Sequence, residues 1–160
     1  IEHRISNDGG VAVVEQNDII YRAAAGAAKP SSGGAEKKAA GSPMEPVWSR
    51  TITPDPVLMF RPSAVTFNSH RIHYDPTSFR ENGYPGLPVP GTLIARMMLE
   101  MVAAELPEFA IGAFSFRSGR PVYDNGDFMI GAAPVADGTQ IDLWALDHDG
   151  NIGMTAQANA

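Results

Sequence analysis

The sequence predicts an α+β domain in which an antiparallel sheet wraps around one long buried helix. First, the segment 92–106, TLIARMMLEMVAAEL, carries apolar residues at helical spacing with few charges, as a mostly buried helix does. Second, four segments after residue 109 have the composition and turn signals of consecutive strands. Third, 44% of the 160 residues are hydrophobic, which is enough to supply a core between helix and sheet.

Residues 1–22 predict a β-hairpin. IEHRIS and GGVAVVEQNDIIYR are two strand-like stretches joined at a Gly-Gly turn. An isolated two-stranded hairpin is marginal in water, so these strands need a further sheet to join. The chain opens on Ile1 rather than methionine, which is consistent with a segment of a longer protein.

Residues 23–46 predict a flexible linker. Alanine, glycine, serine, proline and lysine dominate this stretch, and Met44 is its only large apolar residue. It buries too little apolar surface to offset the entropy lost on ordering. A short alanine-rich helix is the alternative, which the glycines and prolines disfavour.

Residues 47–160 predict the folded domain, and two short helical turns open it. Asp55 followed by Pro56 has the pattern of a helix start, and Pro62 is expected to interrupt that helix. Asp75 followed by Pro76 repeats the start signal.

The long buried helix begins after Gly91 and stops at Pro107. Arg96 and Glu100 lie four residues apart on its exposed strip, where they can pair. The apolar face comprises Leu93, Ile94, Ala95, Met97, Met98, Met101, Val102, Ala103 and Ala104.

Four strands are predicted within segments 110–123, 127–135, 139–150 and 151–160, arranged as an antiparallel meander. Turn signals separate them at residues 124–126, 136–138 and 148–150. In the third strand, apolar residues alternate with Asp142 and Trp144, which predicts that one face is better buried than the other.

Composition excludes several functions. The net charge of −6 argues against a nucleic-acid partner, because phosphates require a basic surface. No run of about 18 apolar residues is present, so no membrane-spanning helix is predicted. The sequence has no cysteine, which excludes disulfides and thiolate metal sites and fits a cytoplasmic protein.

The stretch FNSHRIHYDP, residues 67–76, concentrates titratable and hydrogen-bonding side chains. His70, His73 and Asp75 could bind a metal, although Asp75 is better explained as the helix cap. Both histidines could instead belong to an ordinary polar loop. The third alternative is an acid/base site, because the free N–H groups that open the buried helix at Gly91 follow about 18 residues later.

This order of features resembles the MaoC-like hot-dog hydratases. FNSHRIHYDPTSF followed by YPGLPVPGTLIARMMLE is similar to the branch that contains mesaconyl-CoA and itaconyl-CoA hydratases and the type 2 hydroxyacyl-thioester dehydratase. The resemblance extends from Pro54 to the end of the chain. Aligned on the family signature, His73 takes the catalytic histidine position and Asn68 the catalytic aspartate position, while Val89-Pro90-Gly91 matches the Val-His-Gly that opens the helix.

The resemblance implies a hot-dog fold and an acyl-CoA hydratase or dehydratase, a hydro-lyase, that needs no metal or cofactor. It implies that His73 moves the proton, Asn68 orients water and the Gly91 N–H meets the thioester oxygen. Mesaconyl-CoA and itaconyl-CoA are the candidate substrates. The alternatives are a non-catalytic partner domain that binds acyl thioesters and a hot-dog thioesterase.

Substrate contacts are expected from His70, Arg71, Val89 and Thr92, with Arg61, Arg117 and Arg120 as further candidates for binding CoA phosphates or a carboxylate. The resemblance also implies that residues 47–160 form the catalytic second half of a double hot dog. Residues 1–22 would then be the terminal strands of a preceding unit. The expected partner is a second copy of the chain or an N-terminal hot-dog domain.

Overall fold

A computed structural model describes residues 1–19, 44–77 and 84–160. The chain divides into two compact units, residues 1–33 and 34–160. Most of the predicted linker, together with the end of the predicted second strand at Tyr21, lies outside the described residues.

The first unit contains the predicted hairpin. Strands β1 (Glu2–Asn7) and β2 (Gly10–Gln16) pair antiparallel and form a two-stranded sheet of their own. The Asn7 side chain accepts a hydrogen bond from Gly9 N at 2.8 Å, and Gly10 takes a φ of 111°, which glycine adopts without strain. Every residue of both strands is exposed.

The second unit packs a helix against a five-stranded antiparallel sheet. In chain order its elements are β3 (Trp48–Ile52), α1 (Pro56–Val65), a 3₁₀ helix (Arg71–His73), α2 (Gly91–Glu105), β4 (Ala113–Ser118), β5 (Phe128–Pro134), β6 (Gln140–Leu146) and β7 (Ile152–Asn159). The strand order is β3-β5-β6-β7-β4. No helix among the described residues combines the length and apolar character needed to cross a membrane.

Two features of the sheet differ from the prediction. Only β5, β6 and β7 form a meander, because β4 pairs with β7 at the far edge rather than with β5. Strand β3 was not predicted. Trp48 and Ile52 pack against the core, but the residues between them are exposed, so WSRTI lacks the alternation that marks a half-buried strand.

The prediction that Pro62 interrupts the first helix is wrong. Asp55 caps α1 as predicted, accepting hydrogen bonds from Val57 N at 2.7 Å and Leu58 N at 2.9 Å. Proline removes one intrahelical donor, yet the helix continues to Val65. The carbonyl of Pro62 then accepts from both the N–H and the hydroxyl of Thr66, which anchors the last turn.

The predicted helix α2 supplies much of the core. Met98, Met101 and Val102 are fully or almost fully buried against inward-facing side chains of the sheet. The opposite face of β6 is also covered at Trp144, which is completely buried. Its indole lies over Gly131, where an added Cβ would approach it to 2.8 Å. The alternating pattern of β6 therefore predicted less burial on that face than the structure shows.

Candidate active site

The His73 side chain has a defined orientation. It ends the 3₁₀ helix, is half-buried, and its Nδ1 lies 2.8 Å from the carbonyl oxygen of Pro88. A carbonyl can only accept a hydrogen bond, so Nδ1 must carry the hydrogen. In the neutral ring, Nε2 is therefore the nitrogen with a lone pair, and this is the atom able to take a proton.

The segment from Leu87 to Val89, whose Pro88 carbonyl bonds to His73, is fixed to the domain by backbone hydrogen bonds. Val89 N donates to Val122 O at 2.8 Å, and Asp124 N donates to Leu87 O at 3.0 Å. Between them, Pro88 forms an isolated antiparallel bridge with Tyr123. Leu87 and Val89 are both buried in the main core, so this segment is a fixed support for the imidazole.

The same segment leads into the N-terminus of α2. Leu93 N and Ile94 N both donate to the carbonyl of Pro90, at 3.0 Å and 3.2 Å, while Pro90 supplies no side-chain cap. The N–H groups of Gly91 and Thr92 precede these bonds and have no partner within the helix. They lie at the positive end of the helix dipole and can receive a developing negative charge.

Gly91 leaves room beside this N–H. An added Cβ would lie 3.1 Å from the Ser118 hydroxyl and 3.4 Å from the methyl carbon of Met154. The end of β4 therefore adjoins the helix N-terminus and adds a hydroxyl that no sequence motif marks. Only the pairing of β4 with β7 brings Ser118 there, and no local sequence signal reveals that pairing.

Asn68 and His70 are exposed residues of the loop that leads to His73. Asn68 Oδ1 accepts a hydrogen bond from His70 N at 3.1 Å, so the Nδ2 end is the one that can donate to water or substrate. The His70 and His73 rings meet edge to face with 5.9 Å between centroids. The structure thus brings the two predicted histidines together on one side of the loop.

Arg71 and Asp75 form an ion pair in the same loop. Asp75 Oδ2 accepts from Arg71 Nε at 2.8 Å and Nη2 at 2.6 Å, while Asp75 Oδ1 accepts from Thr77 N at 2.8 Å. The Arg71 guanidinium, followed by the Thr77 N–H, lowers the pKa of Asp75 from its usual value of 3.8. Within the described ranges, no three histidine, aspartate or glutamate side chains are grouped as metal ligands would be.

The remaining predicted contacts differ in accessibility. Thr92 is exposed next to Gly91 at the start of α2. Val89 is buried in the core, so it supports the site from beneath rather than offering its side chain to solvent. Arg61, Arg117 and Arg120 are all exposed.

Comparison with known proteins decides the family. A family model described as "Hydroxyacyl-thioester dehydratase type 2" matches residues 1–124. The chain belongs to this family. The MaoC-like resemblance inferred from the sequence is thereby confirmed.

Named relatives of this dehydratase family agree. The chain is 41% identical over 145 residues to the mesaconyl-C(4)-CoA hydratase of Chloroflexus aurantiacus, covering 90% of the chain and 49% of the relative. It is 35% identical over 88 residues to the mitochondrial hydroxyacyl-thioester dehydratase type 2 of Schizosaccharomyces pombe, covering 53% and 29%.

Solved structures confirm the hot-dog fold. HtdX from Mycobacterium tuberculosis matches with a TM-score of 0.58 and 22% identity, covering 82% of this chain and 51% of HtdX. The chain thus spans about half the length of HtdX and of the Chloroflexus hydratase, and less of the yeast enzyme.

Proposed function

We propose that this dehydratase-family chain catalyses the reversible hydration of an α,β-unsaturated acyl-CoA. The observation that carries the proposal is the hydrogen bond between His73 Nδ1 and Pro88 O, because it leaves Nε2 as the base. It also ties that base to the segment that opens α2, where the Gly91 N–H has no hydrogen-bond partner among the described residues and can bind an oxygen.

In the hydration direction, His73 Nε2 removes a proton from water while the water oxygen bonds to the β-carbon. The electron pair of the double bond moves toward the thioester carbonyl, and negative charge develops on its oxygen. The Gly91 N–H stabilises this charge, a contribution typically worth about 3 kcal/mol. Protonated His73 then delivers the proton to the α-carbon, and dehydration follows the same steps in reverse.

Asn68 is an amide at the position where the family signature has an aspartate. His73 is therefore the single titratable side chain proposed to take part directly in the reaction. With its Oδ1 bonded to His70 N, the amide donates through Nδ2 and can hold the oxygen of the attacking water. That arrangement directs the water hydrogens away from Asn68, which makes one of them available to His73.

The substrate class follows from the Chloroflexus relative, whose name is mesaconyl-C(4)-CoA hydratase. We infer that the acyl group here is likewise short and carries a second carboxylate, with mesaconyl-CoA and itaconyl-CoA as the candidates. Thr92 and the exposed arginines are available to contact the carboxylate or the CoA phosphates. Arg71 already neutralises Asp75, so its charge is shared between loop and substrate.

Histidine substitution tests the proposal. Hydration of crotonyl-CoA and mesaconyl-CoA is measured with the wild type, His73→Ala and His70→Ala. Losing the base is expected to lower kcat by about 10²- to 10⁴-fold in His73→Ala, while His70→Ala, which removes a predicted substrate contact, is expected to raise KM more than it lowers kcat. Full activity in His73→Ala contradicts the assigned role. An inactive wild type favours the second candidate function, a non-catalytic domain that binds acyl thioesters, which the Asn68 amide also supports.

We further propose that the chain works with a second hot-dog unit, either another copy of itself or a complementary N-terminal unit. The hairpin supports this, because its apolar side chains Ile5, Val11, Val13 and Val14 are each half exposed or more. The molecular mass in solution, measured by light scattering, distinguishes a monomer from a dimer. A cytoplasmic location, suggested by the cysteine-free sequence, stays a prediction.

A further inference from the structure

We infer that Asp124 is a positioning residue that sets the orientation of His73 through the backbone of Leu87 and Pro88; this inference rests on the proposed function. Asp124 follows the strand-like residues that pair with the Pro88 segment. In the sequence it reads only as part of an Asp-Asn-Gly turn signal. Its side chain nevertheless bonds outside that turn.

Asp124 holds Leu87 at two points. Its Oδ1 accepts a hydrogen bond from Leu87 N at 2.7 Å, and its own N–H donates to Leu87 O at 3.0 Å. Leu87 is 4% exposed, so both of its backbone groups are removed from water and depend on these partners. Without the carboxylate, a buried N–H is left unpaired at this position.

The geometry of one peptide group connects this clamp to the imidazole. The carbonyl of Pro88 and the N–H of Val89 belong to the same planar trans peptide, so they point in opposite directions. Val89 N donates to Val122 O at 2.8 Å, and the Pro88 carbonyl on the other side accepts from His73 Nδ1 at 2.8 Å. Any rotation of the backbone at Leu87 therefore turns the acceptor that fixes the His73 ring.

Gly86 gives an independent sign that the chain is shaped around this carboxylate. A Cβ added at Gly86 would lie 2.5 Å from Asp124 Oδ1, closer than real Cβ contacts allow. Gly86 is buried, and glycine here gives the carboxylate its approach to Leu87 N. A residue without a Cβ at position 86 is therefore needed for the Asp124 carboxylate to reach Leu87 N. An ordinary surface turn does not impose this steric requirement.

The first test separates orientation from folding. Asp124→Ala removes the acceptor and is expected to lower kcat by about ten- to a hundredfold with little change in KM, because small displacements of a catalytic group are costly. Asp124→Asn keeps an Oδ1 acceptor and is expected to stay within about threefold of wild type. The matched control is Asp147→Ala, since Asp147 Oδ1 likewise accepts backbone bonds, from Asp149 N at 3.0 Å and Asn151 N at 2.8 Å, in the β6–β7 turn.

The second test does not depend on activity. Nitrogen-15 NMR of labelled histidine, assigned with His73→Ala, reports which ring nitrogen carries the hydrogen. Wild type and Asp124→Asn are expected to show the Nδ1–H form of His73, and Asp124→Ala a mixture of both tautomers. If Asp124→Ala proves unfolded, Gly86→Ala serves instead, because its Cβ displaces the carboxylate from Leu87 N.

The outcomes distinguish this inference from the proposed function. An inactive wild type with a tautomer shift in Asp124→Ala overturns the function and keeps the positioning role. An active wild type whose kcat and His73 tautomer are unchanged in Asp124→Ala overturns the positioning role alone. Equal kcat losses in Asp124→Ala and Asp147→Ala likewise overturn it, since they would show a general effect of losing a turn.

Discussion

The two sides of the candidate site are held in different ways. Segment 87–90 is mostly buried and bonded to residues 122–124, more than 30 positions away in the chain. The loop from Phe67 to Tyr74 is largely exposed and bonded mainly to itself, as in the contacts Asn68 Oδ1 to His70 N and Tyr74 hydroxyl to Ser69 O. The hydrogen bond from His73 to Pro88 O connects the two.

This difference shows where the precision of the site originates. A self-bonded surface loop is the kind of region that opens locally at low cost. The His73 side chain gains a fixed direction because it is hydrogen-bonded to the buried segment rather than to its own loop. The same buried segment continues into α2 at Gly91, so the proposed base and the proposed oxyanion donor are attached to one support.

Removing the Gly91 N–H, the hydrogen-bond donor on the buried side of the site, has the largest expected effect on kcat. Gly91→Pro deletes the N–H, and proline is tolerated at a first helical position. The preceding Pro90 has φ −56° and ψ 125°, which suits a residue before proline. We expect kcat to fall by about 10²- to 10³-fold, as on loss of one oxyanion donor.

Gly91→Ala is the matched control for Gly91→Pro. It adds a Cβ at the same place, 3.1 Å from a Ser118 hydroxyl that can rotate away, but keeps the N–H. Steady-state hydration rates and thermal melting are measured for both variants. Equal loss of kcat in the two would show that crowding near Ser118 matters and that the N–H does not.

The sequence predicted the buried side of the site in part. Helix α2 has strong apolar periodicity because it buries side chains along most of its length. Its start at Gly91 was therefore predictable from the sequence. The pairing of Leu87–Val89 with Val122–Asp124 was not. It involves one isolated bridge and a few backbone bonds, which impose no periodic pattern on side chains.

On the exposed side, the residue types indicated where the site lies, but they did not indicate the hydrogen-bond partners of its side chains. His73 stood out because chemistry is concentrated in one short stretch, but its partner is a backbone carbonyl, which every residue possesses. Asp75 was expected to cap the turn that follows it, and its Oδ1 accepts from Thr77 N, but residues 78–83 of that turn lie outside the described residues. Its ion pair with Arg71 was not anticipated. Strand β3 escaped notice for a related reason, because Arg50 interrupts its core-facing side to pair with Glu105 of α2.

A pair of truncations measures how differently the two sides contribute to stability. Val89 is 5% exposed and Phe67 is 95% exposed, although Phe67 is the larger apolar side chain. Val89→Ala is expected to lower the free energy of unfolding by about 1.5 kcal/mol, from roughly 0.8 kcal/mol per buried carbon removed. Phe67→Ala is expected to change it by less than about 0.5 kcal/mol.

Urea unfolding midpoints at unchanged m-value provide this measurement. Both wild-type and substituted residues at position 67 must adopt the left-handed φ of 53°, so backbone strain is similar in the two proteins. A loss at Phe67 as large as that at Val89 would mean that the exposed aromatic ring is covered in solution. The site loop would then belong to an interface.

The smallest expected effect is an acid-dependent one in the exposed loop. The pKa of Asp75 is lowered by its hydrogen bonds from Arg71 and Thr77 N, so the folded state favours the carboxylate. A lowered folded pKa contributes stability above the usual value of 3.8 that is lost as the pH falls through the lower folded value. Wild type should therefore exceed Asp75→Asn in stability at pH 7, and the difference should vanish in strong acid.

Asp137, in the β5–β6 turn rather than in the loop that carries His73, supplies a control for Asp75. Its pKa is lowered too, by the N–H and hydroxyl of Thr139 in the β5–β6 turn, so Asp137→Asn should show the same pH dependence of stability. Only Asp75→Asn should also lower kcat at pH 7, by a few-fold, because Asp75 fixes the turn that carries His73 through bonds to Arg71. If both substitutions leave kcat unchanged, the anchor at Pro88 alone is sufficient to orient the histidine.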